Sequence, residues 1–274
     1  MDVPRRLAHL TSQPALDTVR IATWNVNGLR ARMDFVAHWL KSRAPDVLGL
    51  QELKLSDAEF PHAEFEALGY RAIVHGQKAW NGVAVLTREP AEVETRGLPG
   101  REVNGARLLC VRLGGLQFAT VYCPNGKTLD HPDFRMKLAW FDALRDHLAG
   151  VDQESAFVIG GDFNIVPEPL DCWQGAAADG SIFCTDEERA RYRSLLDLGL
   201  TDLFRHLHPD AQKFSWWDYR GGSFHRGMGL RIDMLLGTAA VACRVLNVEI
   251  DREYRKKKDG LTASDHAPVF ADLD

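Results

Sequence analysis

Asp162 and Asn164, in Gly160-Gly161-Asp162-Phe163-Asn164, put one carboxylate and one carboxamide two positions apart, directly after the apolar run Ala156-Phe157-Val158-Ile159. Side chains alternate along an extended chain, so the two polar groups are expected on one face, with Phe163 turned back into the core. Gly160 and Gly161 leave that face open to close approach by a substrate or another backbone. A polar group at or near the end of an apolar run recurs at Asn25, Glu52, Asp233 and Asp265. Oxygen donors of this kind are the ligand chemistry of Mg²⁺ or Mn²⁺ and not of zinc. Mg²⁺ keeps several waters and uses few carboxylates, so these residues cannot all bind it directly. Asp233 lies inside the apolar stretch 230–236, and a buried carboxylate needs a partner. His266, between Asp265 and the last apolar segment, is the histidine placed to supply one. His206 and His208 have a ligand-like spacing, but they follow a helix, precede Pro209 and are not assigned a metal. No G-x-S-x-G, Walker A or Cys-His arrangement is present, so nothing points to acyl transfer or nucleotide binding.

The elements that would position these groups can be read from the same sequence. Arg20 to Trp24 reads as a strand, with Asn25 and Asn27 beyond it on alternate positions and Gly28 permitting a turn. Met33, Val36, Ala37 and Leu40 recur at helical spacing between Arg30 and Arg43, and Ala44-Pro45 stops that helix. Asp46 to Leu50 is the next strand, delivering Gln51-Glu52-Leu53-Lys54. A short helix is expected from Pro61 to Gly69. Strands follow at 70–74, 83–87, 108–113 and 116–122, the last two closing through Gly114-Gly115 as a hairpin. Phe134, Leu138, Phe141, Leu144 and Leu148 mark a helix, and Thr185 with Glu188 forms a capping box for another running to Gly199. Strands at 214–217, 230–236, 241–250 and 269–273 close the chain. This order predicts an α/β fold: two mixed β-sheets packed face to face, with helices outside and strand ends gathered along one edge.

With 274 residues, 45% of them hydrophobic, the chain can build one large core, and no Pro- or Ser-rich linker divides it. Residues 1–18 read as a loose N-terminal extension and 19–274 as a single domain. No apolar run is long enough to cross a bilayer, so no membrane partner is expected. The five cysteines are odd in number and lack a C-x-x-C, which predicts reduced thiols and a cytoplasmic protein. A net charge of -5 does not advertise a polyanionic partner, yet Arg252, Arg255, Lys256, Lys257 and Lys258 crowd one segment, and Arg30, Arg32 and Lys54 lie near the polar strand ends.

Seven stretches in order carry a resemblance: residues 24–31 (WNVNGLRA), 51–54 (QELK), 122–125 (YCPN), 161–164 (GDFN), 216–220 (WWDYR), 230–233 (LRID) and 264–268 (SDHAP). Together they resemble the exonuclease III family of class II AP endonucleases, from about Val19 to the C-terminus. The resemblance implies a four-layered α/β sandwich that hydrolyses DNA phosphodiesters 5′ to abasic sites, with 3′-to-5′ exonuclease and 3′-end trimming activity on double-stranded DNA. It implies Mg²⁺, with Mn²⁺ as substitute, Glu52 as principal ligand and Asn25 and Asp265 nearby. Asp162 would orient or deprotonate the attacking water and Asn164 would hold Asp162 and the phosphate. His266, fixed by Asp233, would stabilise developing charge, as would Tyr122.

Substrate contacts are expected from Asn27, Arg30, Lys54 and Asn125, with Arg255 to Lys258 on the backbone phosphates and Trp216, Leu230 and Ile232 walling a pocket for the bare sugar. The expected partner is duplex DNA with abasic sites or blocked 3′ ends, met by a monomer. Leu53 stands where the family pattern has threonine, and Asn27 where some relatives carry aspartate. Two other readings stay open at this point: a phosphatase-class relative acting on a phosphorylated lipid or small molecule, and a non-catalytic DNA-binding protein.

Overall fold

The computed structural model describes residues 18–274, and the expected N-terminal extension lies outside them except for Thr18. One sheet is built from β1 (Val19–Asn25), β2 (Val47–Gln51), β3 (Arg71–His75), β4 (Val83–Thr87), β11 (Val245–Ile250) and β12 (Val269–Leu273), in the order β11-β12-β1-β2-β4-β3. The other contains β5 (Glu92–Arg96), β6 (Leu108–Leu113), β7 (Leu116–Tyr122), β8 (Ala156–Asp162), β9 (Thr201–Asp202) and β10 (Asp233–Gly237), in the order β5-β6-β7-β8-β10-β9. Each sheet is mixed. The parallel pairs, β1 with β2 and β7 with β8, are joined by α1 (Met33–Arg43) and α3 (Pro132–Leu148). Crossover helices must lie outside their sheets, and they do.

Three buried clusters define the layers. Ile21, Val85 and Val269 of the first sheet meet Val111, Phe118 and Leu235 of the second in the central seam. Trp39 and Phe65, from α1 and α2 (His62–Glu66), pack on the outer face of the first sheet with Trp24 and Leu50. Phe141, Leu144, Tyr192 and Leu195, from α3 and α4 (Asp186–Leu196), cover the second with Val121 and Ile159. The expected four-layered sandwich is thus observed. α5 (Leu203–Leu207) and α6 (Ala239–Ala242) complete the α-helices of the described residues.

Small residues set how closely the strands approach. A Cβ on Gly49 would lie 2.6 Å from Thr120 Oγ1, and one on Gly160 would lie 2.6 Å from Leu235 Cδ2. Gln51 sits in this seam and donates through Nε2 to Thr23 Oγ1 and Thr120 Oγ1, both at 2.8 Å, tying the two sheets together. At Gly161 the obstruction is backbone: a Cβ would fall 1.9 Å from the carbonyl oxygen of Val121 on the paired strand. Gly161→Ala is therefore expected to lower stability by about 3 kcal/mol, the cost of overpacking where nothing can give way. Urea unfolding checks this, with Gly115→Ala as control because no heavy atom approaches a Cβ there. Equal midpoints for the two variants would refute it.

Several elements differ from the expectation. Residues 214–217 form no strand: Ser215 and Trp216 both donate to the Leu230 carbonyl and Trp217 donates to that of Asp265, leaving only isolated bridges from Trp216 to Leu230 and His266. β10 accordingly begins at Asp233 and not Leu230. Residues 241–250 divide into the end of α6 and the strand β11. β5, a largely exposed edge strand of charged residues, offered no apolar alternation to detect. The helix stop at Ala44, left-handed at φ 48°, and the Thr185–Glu188 capping box form as expected. No helix of the described residues is long and apolar enough to cross a membrane.

Candidate active site

Register brings the polar strand ends to one edge. In the parallel pairs Asn25 lies opposite Gln51 and Tyr122 opposite Asp162, and in the antiparallel pair Asp233 lies opposite Asp162. Five of the polar groups therefore emerge from neighbouring strand ends of two packed sheets, and the Asp265-His266 turn before β12 closes over them. A cavity of about 160 Å³ opens there. Glu52, Tyr122, Asp162, Asn164, Asp265 and His266 supply its polar lining, Asn125 its lip, and Phe183, Trp216 and Ile232 its apolar wall.

Asp162 is 1% exposed and is held from several sides. Asn25 Nδ2 donates to its Oδ2 at 2.9 Å and to Glu52 Oε1 at 2.9 Å, so one amide bridges two carboxylates. The backbone N–H of Asn164 donates to Asp162 Oδ1 at 2.9 Å. This contact replaces simple strand alternation, since Asn164 is left-handed at φ 50° and turns its side chain to donate to the Cys123 carbonyl. Asn125 Nδ2 then donates to Asn164 Oδ1 at 3.1 Å. His266 Nδ1 lies 2.9 Å from Asp233 Oδ2, which directs Nε2 toward Asp162 Oδ2 at 3.8 Å. The expected pairing of His266 with Asp233 is present.

Electrostatics follow from these contacts. Burial opposes the His266 imidazolium, but the charge and hydrogen bond of Asp233, with Asp162 and Asp265 adding, raise its pKa above the ordinary histidine value. Burial pushes the Asp162 carboxyl up, the nearby charges of Asp233 and Glu52 add to this, and His266 and the Asn25 hydrogen bond work against it. Tyr122 is raised too, by burial and then by the Glu52 and Asp162 charges, and so keeps its phenolic proton. Asp265 is partly buried, which opposes its charge, yet His266, Trp216 Nε1 and Asn27 hold it below the usual carboxylate range. The arrangement offers a carboxylate of raised proton affinity beside an imidazolium and a phenol. One group can take a proton from water while the others face a developing oxyanion.

The donor set also fits a hard divalent cation. One ligand atom from each of Glu52, Asp162 and His266 falls within 4.8 Å of the others, and the oxygen groups outnumber the basic ones. Glu52 is more open to the cavity than Asp162, its side chain 17% exposed against 2%. Asp265 accepts from Asn27 Nδ2 and Trp216 Nε1, so its two oxygens are already oriented. Asn25 turns its NH₂ to the carboxylates and its oxygen to the Asn27 N–H.

The expected substrate-contact residues are only partly brought together. Lys54 Nζ lies 2.6 Å from Asn27 Oδ1 and 3.0 Å from Glu52 Oε2, so Lys54 and Asn27 belong to the site. Arg30 stands exposed and is paired with Glu59 at 3.3 Å. Leu230 is not on the cavity wall: β10 starts after it, its N–H and carbonyl pair with Trp216, and its side chain packs behind the wall beside Cys172. Arg255 is not free for phosphate, being 9% exposed and donating to the carbonyls of Asp265 and Trp217.

Several contributors escaped the sequence reading. Ser215 Oγ donates to Asp233 Oδ2 at 2.6 Å and accepts from the Ile232 and Asp233 N–H groups, though only its neighbour Trp216 had been singled out. Phe183 forms cavity wall from a left-handed conformation at φ 72°. Arg231 is 1% exposed and bonded to Asp171 and Asp202, and a charge inside an apolar run was the signal for it.

Comparison with known proteins matches residues 22–266 to the Endonuclease/Exonuclease/phosphatase family. The chain is 36% identical to exodeoxyribonuclease III of Haemophilus influenzae over 93% of its own length and 100% of that protein. Among solved structures it resembles a Neisseria 3′ phosphatase, NExo, bound to a product DNA hairpin, with TM-score 0.88 and 39% identity over 93% of this chain and 99% of that one. An AP endonuclease from Archaeoglobus fulgidus gives TM-score 0.89 and 34% identity over 93% and 99% of the two chains.

Proposed function

We infer the function from one premise: this chain belongs to the endonuclease/exonuclease/phosphatase family, and it is a metal-dependent hydrolase of the exodeoxyribonuclease III and AP endonuclease type, a DNA repair nuclease. Within that class it cuts 5′ to abasic sites and trims 3′ ends of duplex DNA, with Mg²⁺ as metal and Mn²⁺ as substitute. Residues 19–274 act as one catalytic domain, a monomer in the cytoplasm, in keeping with the five unpaired cysteines. The observation that carries this reading is Asp162, buried among Asn25, Asn164 and His266 in the lining of a cavity that also gathers Glu52, Tyr122 and Asp265.

Each residue has a part that its geometry supports. Asp162 accepts a proton from the attacking water, and the Asn164 N–H and the Asn25 amide fix the carboxylate for that transfer. His266, oriented by Asp233, and Tyr122 face the phosphoryl oxygens and donate to them as charge builds. Glu52, with Asp265 and Asn25 beside it, would hold the divalent cation. When bound, that cation neutralises phosphoryl oxygen charge. Trp216, Phe183 and Ile232 receive the bare sugar. A nucleotide without a base has no stacking to lose, so it is cheaper to rotate out by a few kcal/mol.

Two measurements test this. Excess chelator is expected to lower cleavage of an abasic duplex at least about a hundredfold, and Mg²⁺ or Mn²⁺ to restore it. Undiminished cleavage in chelator refutes the metal assignment. Trp216→Ala is expected to reduce the ratio of abasic to intact cleavage by about tenfold or more, within the range a hydrophobic pocket contributes to discrimination. Trp216→Phe, which loses the indole N–H to Asp265 but keeps the wall, should retain most of that ratio. A wild-type ratio in the alanine variant refutes the pocket.

A further inference from the structure

We propose that the buried pair Lys137–Glu188 is a positioning unit for this reaction, locking the Asn125 and Asn164 loops and the Phe183 wall into one arrangement. The proposal rests on the nuclease reading above and extends it to two residues away from the cavity. Lys137 is on α3 and Glu188 on α4, and both side chains have no solvent exposure. Charges placed so deep are costly unless paired and fully hydrogen-bonded. The other ion pair between these helices, Arg191 with Asp142 at 3.2 Å, is part-exposed. The buried residues around Lys137 and Glu188, such as Phe141, Leu144, Tyr192 and Leu195, are large and mostly apolar, so packing alone does not call for a buried lysine or glutamate.

Their hydrogen bonds all go to loop segments around the site or to each other. Lys137 Nζ donates to Glu188 Oε1, to the Asn164 carbonyl at 2.6 Å and to the Asn125 carbonyl at 3.2 Å. Its three N–H groups are thereby used. Glu188 Oε1 accepts the Phe183 N–H at 3.1 Å, and Oε2 accepts the Thr185 N–H and hydroxyl. The Lys137 ammonium also lies 4.9 Å from the centre of the Phe183 ring. Two of the anchored residues, Asn164 at φ 50° and Phe183 at φ 72°, are left-handed. For a phenylalanine this region is strained and persists only where the surroundings hold it.

The consequence for chemistry runs through Asn164. Its N–H is a donor to Asp162 Oδ1, and its side chain meets Asn125 at the cavity lip. A shift of the Asn164 backbone therefore moves the group that orients the water-facing carboxylate. The same ion pair sets the opposite wall through Phe183, so the lip, the carboxylate and the wall move together.

The test is the double variant Lys137→Met/Glu188→Gln. It removes both charges with little change of volume, and glutamine keeps the capping box of α4, so folding is expected to survive. The expected result is a 10- to 100-fold fall in kcat on a duplex with an abasic site, as roughly 1 Å of misplacement costs. KM should stay within about threefold of wild type, since the variant removes no group that touches DNA. The thermal midpoint should hold, and amide hydrogen exchange at 123–126, 163–166 and 181–184 should quicken without substrate. Wild-type kcat with the midpoint held would overturn the proposal, as would a loss of kcat matched by the unfolded fraction or unchanged exchange in those segments. The exchange measurement needs no DNA, so it decides the role of the pair even if wild type prefers 3′ ends to abasic sites.

Discussion

Asp162→Asn is expected to slow turnover by about 10²- to 10⁴-fold, the range over which a positioned general base contributes. Asparagine keeps the shape and can still accept from the Asn164 N–H through one oxygen, so the cavity and its lip remain. What is lost is the proton acceptor. Burial and the neighbouring carboxylates raise the proton affinity of Asp162, so wild-type rate should climb with pH as this group loses its proton. That ascending limb should vanish in the variant, leaving a slow and flatter profile. Stability should not fall in step, because a carboxylate crowded by Asp233 and Glu52 is itself unfavourable in the fold. Steady-state kinetics across pH with a thermal melt check both halves. A variant within tenfold of wild type, or one that keeps the same limb, would show that Asp162 is not the base.

Arg231→Met should cost about 3–5 kcal/mol of folding stability, the loss seen when one partner of a buried ion pair is removed. Arg231 is buried between two carboxylates, Asp171 at the end of a 3-10 turn and Asp202 on β9. Nε and Nη2 donate to Asp171 at 2.6 and 3.0 Å, and Nη1 donates to Asp202 at 2.8 Å. Asp202 also accepts from the Tyr192 hydroxyl at 2.8 Å. Burial opposes the Asp202 charge, but the charge and hydrogen bond of Arg231, with the Arg205 N–H and the Tyr192 hydroxyl adding, hold its pKa below the ordinary value. A depressed folded-state pKa gives stability that is full above the unfolded pKa and lost as pH falls through the folded one. Without Arg231 that pKa should rise, so acid unfolding should begin at higher pH as well as at lower urea. Arg231 also lies between Leu230 and Ile232 on the approach to Asp233, and cleavage at the abasic site should fall with it. Unchanged urea and acid midpoints would refute this account.

The chemistry was readable in the sequence because it is carried by residue types at strand ends. Short apolar runs, buried on both faces, marked β1, β2, β7, β8 and part of β10, and polar groups at or just beyond their ends line the cavity. Asp233 within an apolar run required a partner, and His266 supplies it. Two layers of strands with helices outside also followed, since each apolar stretch had to be covered.

The tertiary structure decided everything that depends on groups distant in the chain meeting in space. Leu230 was placed on the wall by resemblance, on a strand expected from residue 230, but the strand starts three residues later and the Leu230 backbone pairs with Trp216 instead. Phe183 took a place on the wall because a left-handed turn, invisible to any periodicity, aims it there. Arg255 looked like a phosphate ligand within a basic run, and only the fold buries its guanidinium against the Trp217 and Asp265 carbonyls. Lys137 and Glu188 lie 51 positions apart and become one unit only when α3 packs on α4. Local pattern records which face of an element is apolar, whereas a buried charge is fixed by its partners, and those are chosen by packing.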